Sequence, residues 1–175
     1  KIRVQIAKFL LPKADSIRVV SNRIKESLTA YDLKAPITVL PVFVDIEKIQ
    51  KAEVKVDLRK KYPQFEKIIL MASRLTKEKN IALAIEAMGA VIKQNPKIGL
   101  VIVGEGPEKA KSEDRRSENE VTANVILEPW TNDLPSYYKT ADLFLNTSWY
   151  EGYGMTIVEV AACGTPIVST DVGIA

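Results

Sequence analysis

Four charged side chains at the ends of apolar runs could together handle a phosphorylated, hydroxyl-rich ligand: Arg74, Lys79, Glu151 and Glu159. Arg74 and Lys79 lie in Ser73-Arg74-Leu75-Thr76-Lys77-Glu78-Lys79-Asn80, after an apolar run ending at Ala72 and before an apolar-periodic stretch that starts at Ile81. A guanidinium grips two phosphate oxygens with its planar fork and an ammonium adds a mobile point charge. A helix beginning at Ile81 would turn its first amides toward the same space. The chemistry expected is a diphosphate cradle, each charge-assisted hydrogen bond contributing about 1.5–3 kcal/mol. Read alone, the same residues also describe a solvated charge cluster.

Glu151 and Glu159 bracket Gly152-Tyr153-Gly154-Met155-Thr156-Ile157-Val158, a glycine-rich turn leading into an apolar helix. On one straight helix two carboxylates at this spacing would point about 80° apart. With Glu151 in the loop and Glu159 inside the helix, both can face one ligand. The amides of Gly154 to Thr156 carry the positive end of the helix and suit phosphate, while carboxylates accept hydrogen bonds from ribose or sugar hydroxyls. A surface acid and an ordinary helix-face acid would have the same spacing. A second glycine turn, Gly104-Glu105-Gly106-Pro107, permits close backbone approach and puts proline where a helix starts. It lacks the ending of a P-loop and the spacing of a dinucleotide fingerprint, which weakens the ordinary ATPase and NAD readings, and a plain strand-to-helix turn would carry the same residues.

These loops need a scaffold. From Lys67 onward, buried-looking strands are expected at Ile68–Ala72, Leu100–Val103, Val125–Leu127, Leu143–Asn146 and Pro166–Ser169. Helices at Ile81–Gln94, Glu108–Glu120, Leu134–Ala141 and Met155–Cys163 separate them. The alternation predicts an α/β fold, a Rossmann-like parallel sheet with helices on both faces. In such sheets ligands bind beyond the carboxyl ends of the strands, where the singled-out residues fall. Upstream, Ile2–Leu11 reads as a short helix stopped by Pro12, with a membrane-surface helix as the alternative. Ser16–Val20 and Ile37–Leu40 read as strands, Ser21 as an N-cap and Asn22–Asp32 as a helix. The lysine-rich Asp45–Gln64 reads as a linker with a helix at Val56–Tyr62, placing a domain boundary near Val44, with units 1–44 and 45–175.

Composition narrows the function. The 25 basic and 22 acidic residues are interspersed and leave a net charge of +3, too little for a general nucleic-acid-binding surface. The single cysteine, Cys163, allows no intrachain disulfide and is compatible with a cytoplasmic location. There is no histidine, which removes the commonest general base and metal ligand, so no metal site is expected. The chain opens at Lys1 rather than a methionine, as expected of an internal fragment.

Read together and in order, Ala14–Ser21 (ADSIRVVS), Ser73–Asn80 (SRLTKEKN), Val101–Pro107 (VIVGEGP), Leu134–Leu145 (LPSYYKTADLFL), Glu151–Glu159 (EGYGMTIVE) and Ala162–Gly173 (ACGTPIVSTDVG) resemble a known family. It is the retaining, nucleotide-sugar-dependent glycosyltransferases of group 1, which have two facing Rossmann-like domains, the GT-B architecture. The resemblance implies a C-terminal donor domain, truncated at its end, preceded by the last part of the N-terminal domain. It implies that Arg74 and Lys79 hold the donor diphosphate and that Glu159 takes the ribose hydroxyls. Glu151 would take those of the transferred sugar, which makes Glu151, Arg74 and Lys79 the expected catalytic set. The turns at Gly104 and Gly106 and the backbone of Gly152, Tyr153, Gly154, Met155 and Thr156 would complete the donor site, with Leu127 to Trp130 near the base. The donor would be a UDP-, GDP- or ADP-linked sugar with no cofactor. The acceptor would be a saccharide or lipid-linked molecule held by an absent N-terminal domain, which would also make any peripheral membrane contact. A non-catalytic nucleotide-sugar-binding module and a related epimerase or phosphorylase are the alternatives. Four positions depart from the family pattern: Ser73 and Asn80, where glycine is common, and Val42-Phe43 in place of Asn-Gly after Pro41.

Overall fold

Strands that are apolar at nearly every position need cover on both faces, and the computed structural model, which describes residues 2–174, supplies it. Five strands form one parallel sheet in the order β5-β4-β3-β6-β7. They are β3 (Lys67–Ala72), β4 (Ile98–Val103), β5 (Val125–Glu128), β6 (Leu143–Asn146) and β7 (Ile167–Ser169). The helices between them are α5 (Ile81–Gln94), α6 (Lys109–Glu118), α7 (Leu134–Thr140) and α8 (Met155–Ala162).

The side chains of each strand divide between two clusters. On one face Ile68, Leu70 and Ala72 of β3, Val101 and Val103 of β4 and Phe144 of β6 pack with Leu134, Tyr137 and Tyr138 of α7 and Val160 of α8. On the other, Met71, Leu100, Ile102 and Val125 pack with Ile81, Ala84, Ile85 and Met88, the i, i+3, i+4, i+7 stripe of α5. Each fully buried large apolar side chain contributes roughly 1.5–3 kcal/mol. Helix α6 is polar but for Ala110, and Ser112 is its buried residue. It is tied down by an ion pair from Arg115 to Glu86 of α5 and by Arg116 Nη1 donating to the Val125 carbonyl at 3.0 Å.

From β3 the chain winds through β4 to β5 along one half of the sheet, then returns through β6 to β7 along the other. The winding reverses between β3 and β6, which are hydrogen-bonded neighbours with Ile69 opposite Leu143. The crevice at such a reversal is where open α/β sheets bind ligands.

Ahead of this sheet, α1 (Ile2–Leu10) leads through a short 3-10 turn containing Pro12 to β1 (Ile17–Val19). Strand β1 pairs in parallel with β2 (Ile37–Val39), and α2 (Asn22–Ser27) lies between them. Ser21 caps α2, its hydroxyl accepting from the Ile24 amide at 3.3 Å. Helix α2 is shorter than the expected Asn22–Asp32. The Ser27 and Thr29 hydroxyls donate to the Ile24 and Glu26 carbonyls at 2.7 Å each, and the chain turns instead of continuing. On α1, Val4, Ile6, Phe9 and Leu10 are exposed. Lys1 and Ala175 lie outside the described residues.

The segment expected to be a linker is folded onto the large sheet. Helix α3 (Ile46–Lys51), which the sequence reading missed, is capped by Asp45, whose carboxylate accepts from the Lys48 amide at 3.0 Å. Helix α4 (Leu58–Lys61) is shorter than the Val56–Tyr62 expected. Leu58 is buried in the α7–α8 face, and the Ser136 and Thr140 hydroxyls of α7 accept from the amides of Lys55 and Leu58 at 2.9 and 3.2 Å. Its anchor is Glu128 at the end of β5. That buried carboxylate accepts hydrogen bonds from Lys61 Nζ at 2.6 Å, from the Tyr137 hydroxyl at 2.7 Å and from the Tyr62 hydroxyl.

Candidate functional site

The site is assembled at the β3/β6 reversal by two loops, Ser73–Asn80 after β3 and Thr147–Gly154 after β6. The Thr147 hydroxyl lies 3.1 and 3.0 Å from the carbonyls of Lys79 and Asn80, and the Trp149 amide donates to the Glu78 carbonyl at 2.8 Å. The first loop ends at Asn80, which adopts the left-handed conformation (φ 49°, ψ 47°) immediately before α5. Asparagine tolerates that region better than most side-chain-bearing residues, which suits it to a position where the resemblance led glycine to be expected.

At the centre Lys79 Nζ donates to Glu151 Oε1 at 2.5 Å, and only 14% of each side chain is exposed. Beneath them Ser148 is fully buried, its hydroxyl 2.8 Å from Glu151 Oε1 and 2.8 Å from Asn146 Oδ1. Asn146 in turn donates through Nδ2 to the Ser169 hydroxyl at 3.0 Å, and the Thr170 hydroxyl donates to the Ser148 carbonyl at 2.6 Å. This polar seam fixes the carboxylate in place. The Asn146-Thr147-Ser148 run was the signal for it: polar residues at the end of an otherwise apolar strand need buried partners.

Arg74 stands apart from the pair. Its guanidinium is 3.6 Å from Glu78, and 74% of the side chain is exposed, leaving the fork free to turn. Gly104 and Gly106 lie under the same loop rather than open to solvent. A Cβ at Gly104 would come 2.0 Å from the Ser73 carbonyl oxygen, and one at Gly106, where φ is 155°, would come 2.4 Å from that of Leu75. Two hydrogen bonds complete the stack, from the Leu75 amide to the Glu105 carbonyl at 2.8 Å and from the Glu108 amide to the Leu75 carbonyl at 2.9 Å. The glycines thus set the height of the Arg74 loop.

Gly154 caps α8 with φ 91°, and the first amides of that helix, at Met155 and Thr156, have no intrahelical acceptor. A Cβ at Gly152 would meet nothing within 4 Å, so space is open there. Tyr153 borders a cleft of about 440 Å³ shared with Ser21, Arg23 and Ile174, and its carbonyl accepts from the Ile174 amide at 3.1 Å. Arg23 spans the far side of this cleft, donating to the Asp171 carbonyl at 2.9 Å and forming an ion pair with its carboxylate.

Glu159 faces a different space. It lines a cavity of about 760 Å³ with Phe43, Ile49, Leu134, Tyr138 and Met155. Its Oε2 accepts from the buried Tyr138 hydroxyl at 2.9 Å. Burial, and then the neighbouring Glu159 charge, push the Tyr138 phenol far above its ordinary pKa and keep it a donor. Of the stretch expected near a base, Leu127 packs its side chain on the α5 cluster and Glu128 is buried, whereas Pro129 and Trp130 are exposed beside the cavity mouth at Asn132. Lys79 and Glu151 therefore come together, Arg74 flanks them on solvent, and Glu159 forms a second centre on α8.

Such a site offers a cation and helix amides to an anion, and two carboxylates to hydroxyls. Across 96% of its length the chain is 30% identical to the alpha-monoglucosyldiacylglycerol synthase of Streptococcus pneumoniae, matching 41% of that protein. It is 27% identical to the lipopolysaccharide core biosynthesis mannosyltransferase LpsB of Rhizobium meliloti over 95% of its length and 48% of the relative. Among solved structures, a mutant of S. aureus TarM in complex with fondaparinux, alpha-GlcNAc-glycerol and UDP superposes with a TM-score of 0.82 at 25% identity, over 98% of this chain and 33% of that one. The chain thus spans less than half the length of these curated relatives. Its five-stranded parallel sheet flanked by helices matches the C-terminal domains of GT-B glycosyltransferases. Residues 55–175, well over half of the sequence, match the family described as Glycosyl transferases group 1. The loops, the reversal that joins them and this match agree: the chain belongs to the group 1 glycosyl transferases.

Proposed function

We propose that this chain supplies the donor site of a retaining hexosyltransferase, which moves a sugar from a nucleoside diphosphate to a saccharide or lipid-linked acceptor. The observation that carries the reading is the Lys79–Glu151 pair at the β3/β6 reversal, beside the glycine-capped start of α8. Lys79, the α8 amides and a swung-in Arg74 bind the diphosphate. As the glycosidic bond to it breaks, the same groups stabilise the charge that develops on the leaving group. Glu151 receives hydroxyls of the transferred sugar, and Glu159 those of the ribose at the edge of the large cavity. The apolar walls of that cavity suit the base.

The domain division at Val44 belongs to this proposal. An N-terminal Rossmann-like domain, of which residues 1–44 are the end, brings the acceptor, any membrane contact and the acid–base histidine this chain lacks. The enzyme works at the cytoplasmic side, and the 1–175 segment alone does not turn over. The names of the relatives support a lipid or polysaccharide acceptor, and the UDP bound to TarM supports a uridine donor.

Calorimetry with UDP, GDP and ADP tests the reading on the chain and on its Arg74→Ala and Lys79→Ala variants. Affinity for the preferred nucleotide falls at least about tenfold in each variant, the loss of one charge-assisted hydrogen bond. Equal affinity in wild type and variants would remove the cradle. In the full-length enzyme, NMR of the anomeric proton in the product tests retention.

A further inference from the structure

We propose that Tyr138 is the positioning residue for Glu159: its hydroxyl occupies one carboxylate oxygen from the core side and leaves the other aimed into the cavity for the ribose. The inference rests on the reading of Glu159 given above and deepens it. Tyr138 belongs to α7, not to the loops that carry the other site residues. Its ring packs edge-on against Phe144, with centroids 5.9 Å apart, and only 1% of the residue is exposed. The Thr165 hydroxyl donates to its backbone carbonyl at 2.6 Å, which ties the residue to the segment leading into β7. Such a ring has no freedom to follow a ligand. Its hydroxyl stays at one point and meets Glu159 Oε2 at 2.9 Å.

A glutamate has three side-chain torsions and loses their freedom when it grips a ligand. The hydrogen bond from Tyr138 removes that freedom in advance. Among the described residues, Tyr138 is the sole hydrogen-bond partner of the Glu159 side chain, so Oε1 keeps its full accepting capacity. Both residues line the 760 Å³ cavity, which has room for a nucleoside. The phenol is also the reason the carboxylate can sit in an apolar wall, since a partly buried acid needs a donor.

The experiment reads ribose recognition directly. Affinities for UDP, 2′-deoxy-UDP and inorganic diphosphate are measured by calorimetry on the wild type, Glu159→Ala, Tyr138→Phe and Phe144→Leu. Wild type prefers UDP over 2′-deoxy-UDP, and Glu159→Ala abolishes the preference. Tyr138→Phe cuts the preference by about fivefold, a share of one charge-assisted hydrogen bond, while diphosphate affinity is unchanged. Phe144→Leu disturbs the same ring without touching the hydroxyl; it lowers the melting temperature and leaves the preference intact. Loss of discrimination in Glu159→Ala with none in Tyr138→Phe overturns the positioning role alone. Unaltered discrimination in Glu159→Ala overturns the ribose reading and this inference with it. Loss of diphosphate binding in Tyr138→Phe marks the residue as structural and overturns the proposal as well.

Discussion

The Lys79–Glu151 pair makes a quantitative demand on stability. Removing one partner of a fully buried ion pair costs about 3–5 kcal/mol, because the remaining charge is left desolvated. Here 14% of each side chain still meets water, and Ser148 keeps a donor for Glu151, so Lys79→Met is expected to cost about 2–3 kcal/mol. In Glu151→Gln the amide oxygen still accepts from the ammonium, and the loss is about 1–2 kcal/mol. The double variant should lose less than the sum of the two, with a coupling of about 1–2 kcal/mol. Urea unfolding of the four proteins measures this. Raising the salt to molar levels should leave the coupling nearly unchanged, since buried pairs are poorly screened. A double variant whose loss equals the sum of the singles to within about 0.5 kcal/mol would refute the reasoning. The pair would then be a surface contact that happens to be drawn inward.

Two further expectations concern the scaffold. Gly106→Ala should unfold at lower urea and weaken UDP binding together, because the new Cβ can be relieved only by lifting the Arg74 loop off its support; unchanged UDP affinity in a folded variant would count against the buttress. Acid should destabilise the domain through Glu128 and Asp142. Burial raises both pKa values, but hydrogen bonds from Lys61, Tyr62 and Tyr137 onto Glu128, and from the Ile68 amide and Lys67 onto Asp142, outweigh it and leave both below the ordinary range. Depressed carboxylates stabilise the fold above their unfolded pKa values, about 4, and that contribution is lost as pH falls through the lower folded values. Urea midpoints taken downward from pH 7 should therefore drop in this window, and Glu128→Gln should flatten the drop; an identical slope in the variant would show that the network carries no linkage.

The sheet was legible because a strand covered on both faces must be apolar over most of its length, and β3, β4 and β6 announce themselves that way. The helix expected at Ile81–Gln94 is α5 to the residue, and its stripe at Ile81, Ala84, Ile85 and Met88 is the buried face. In the stretch before β3, α4 was legible in part and α3 was not. Helix α3 has two isoleucines among charged and polar residues and stands on its Asp45 cap and its place beside α8, which no local period reveals. The Glu128 network was hidden because Tyr62 and Lys61 are 66 and 67 positions from their partner. In the site, sequence supplied the residue types and the loops that hold them, and the alternation of strands and helices put those loops on one edge. It could not say which cation meets which acid. That depends on how the two loops are stitched, and here Lys79 takes Glu151, Arg74 stays outside, and Glu159 turns to Tyr138.

The β3/β6 junction carries one more consequence, for the order of folding. Contacts such as the Ile68 amide on the Asp142 carboxylate join positions 74 residues apart, whereas β3 and β4 are linked through a single helix. Loop-closure entropy makes the distant seam the later one to close. A nucleotide that touches both lips of the seam would hold shut the last-formed joint, so saturating ligand should slow local opening there more than at the β4–β5 edge, and hydrogen exchange would reveal the crevice as the hinge of the domain's breathing.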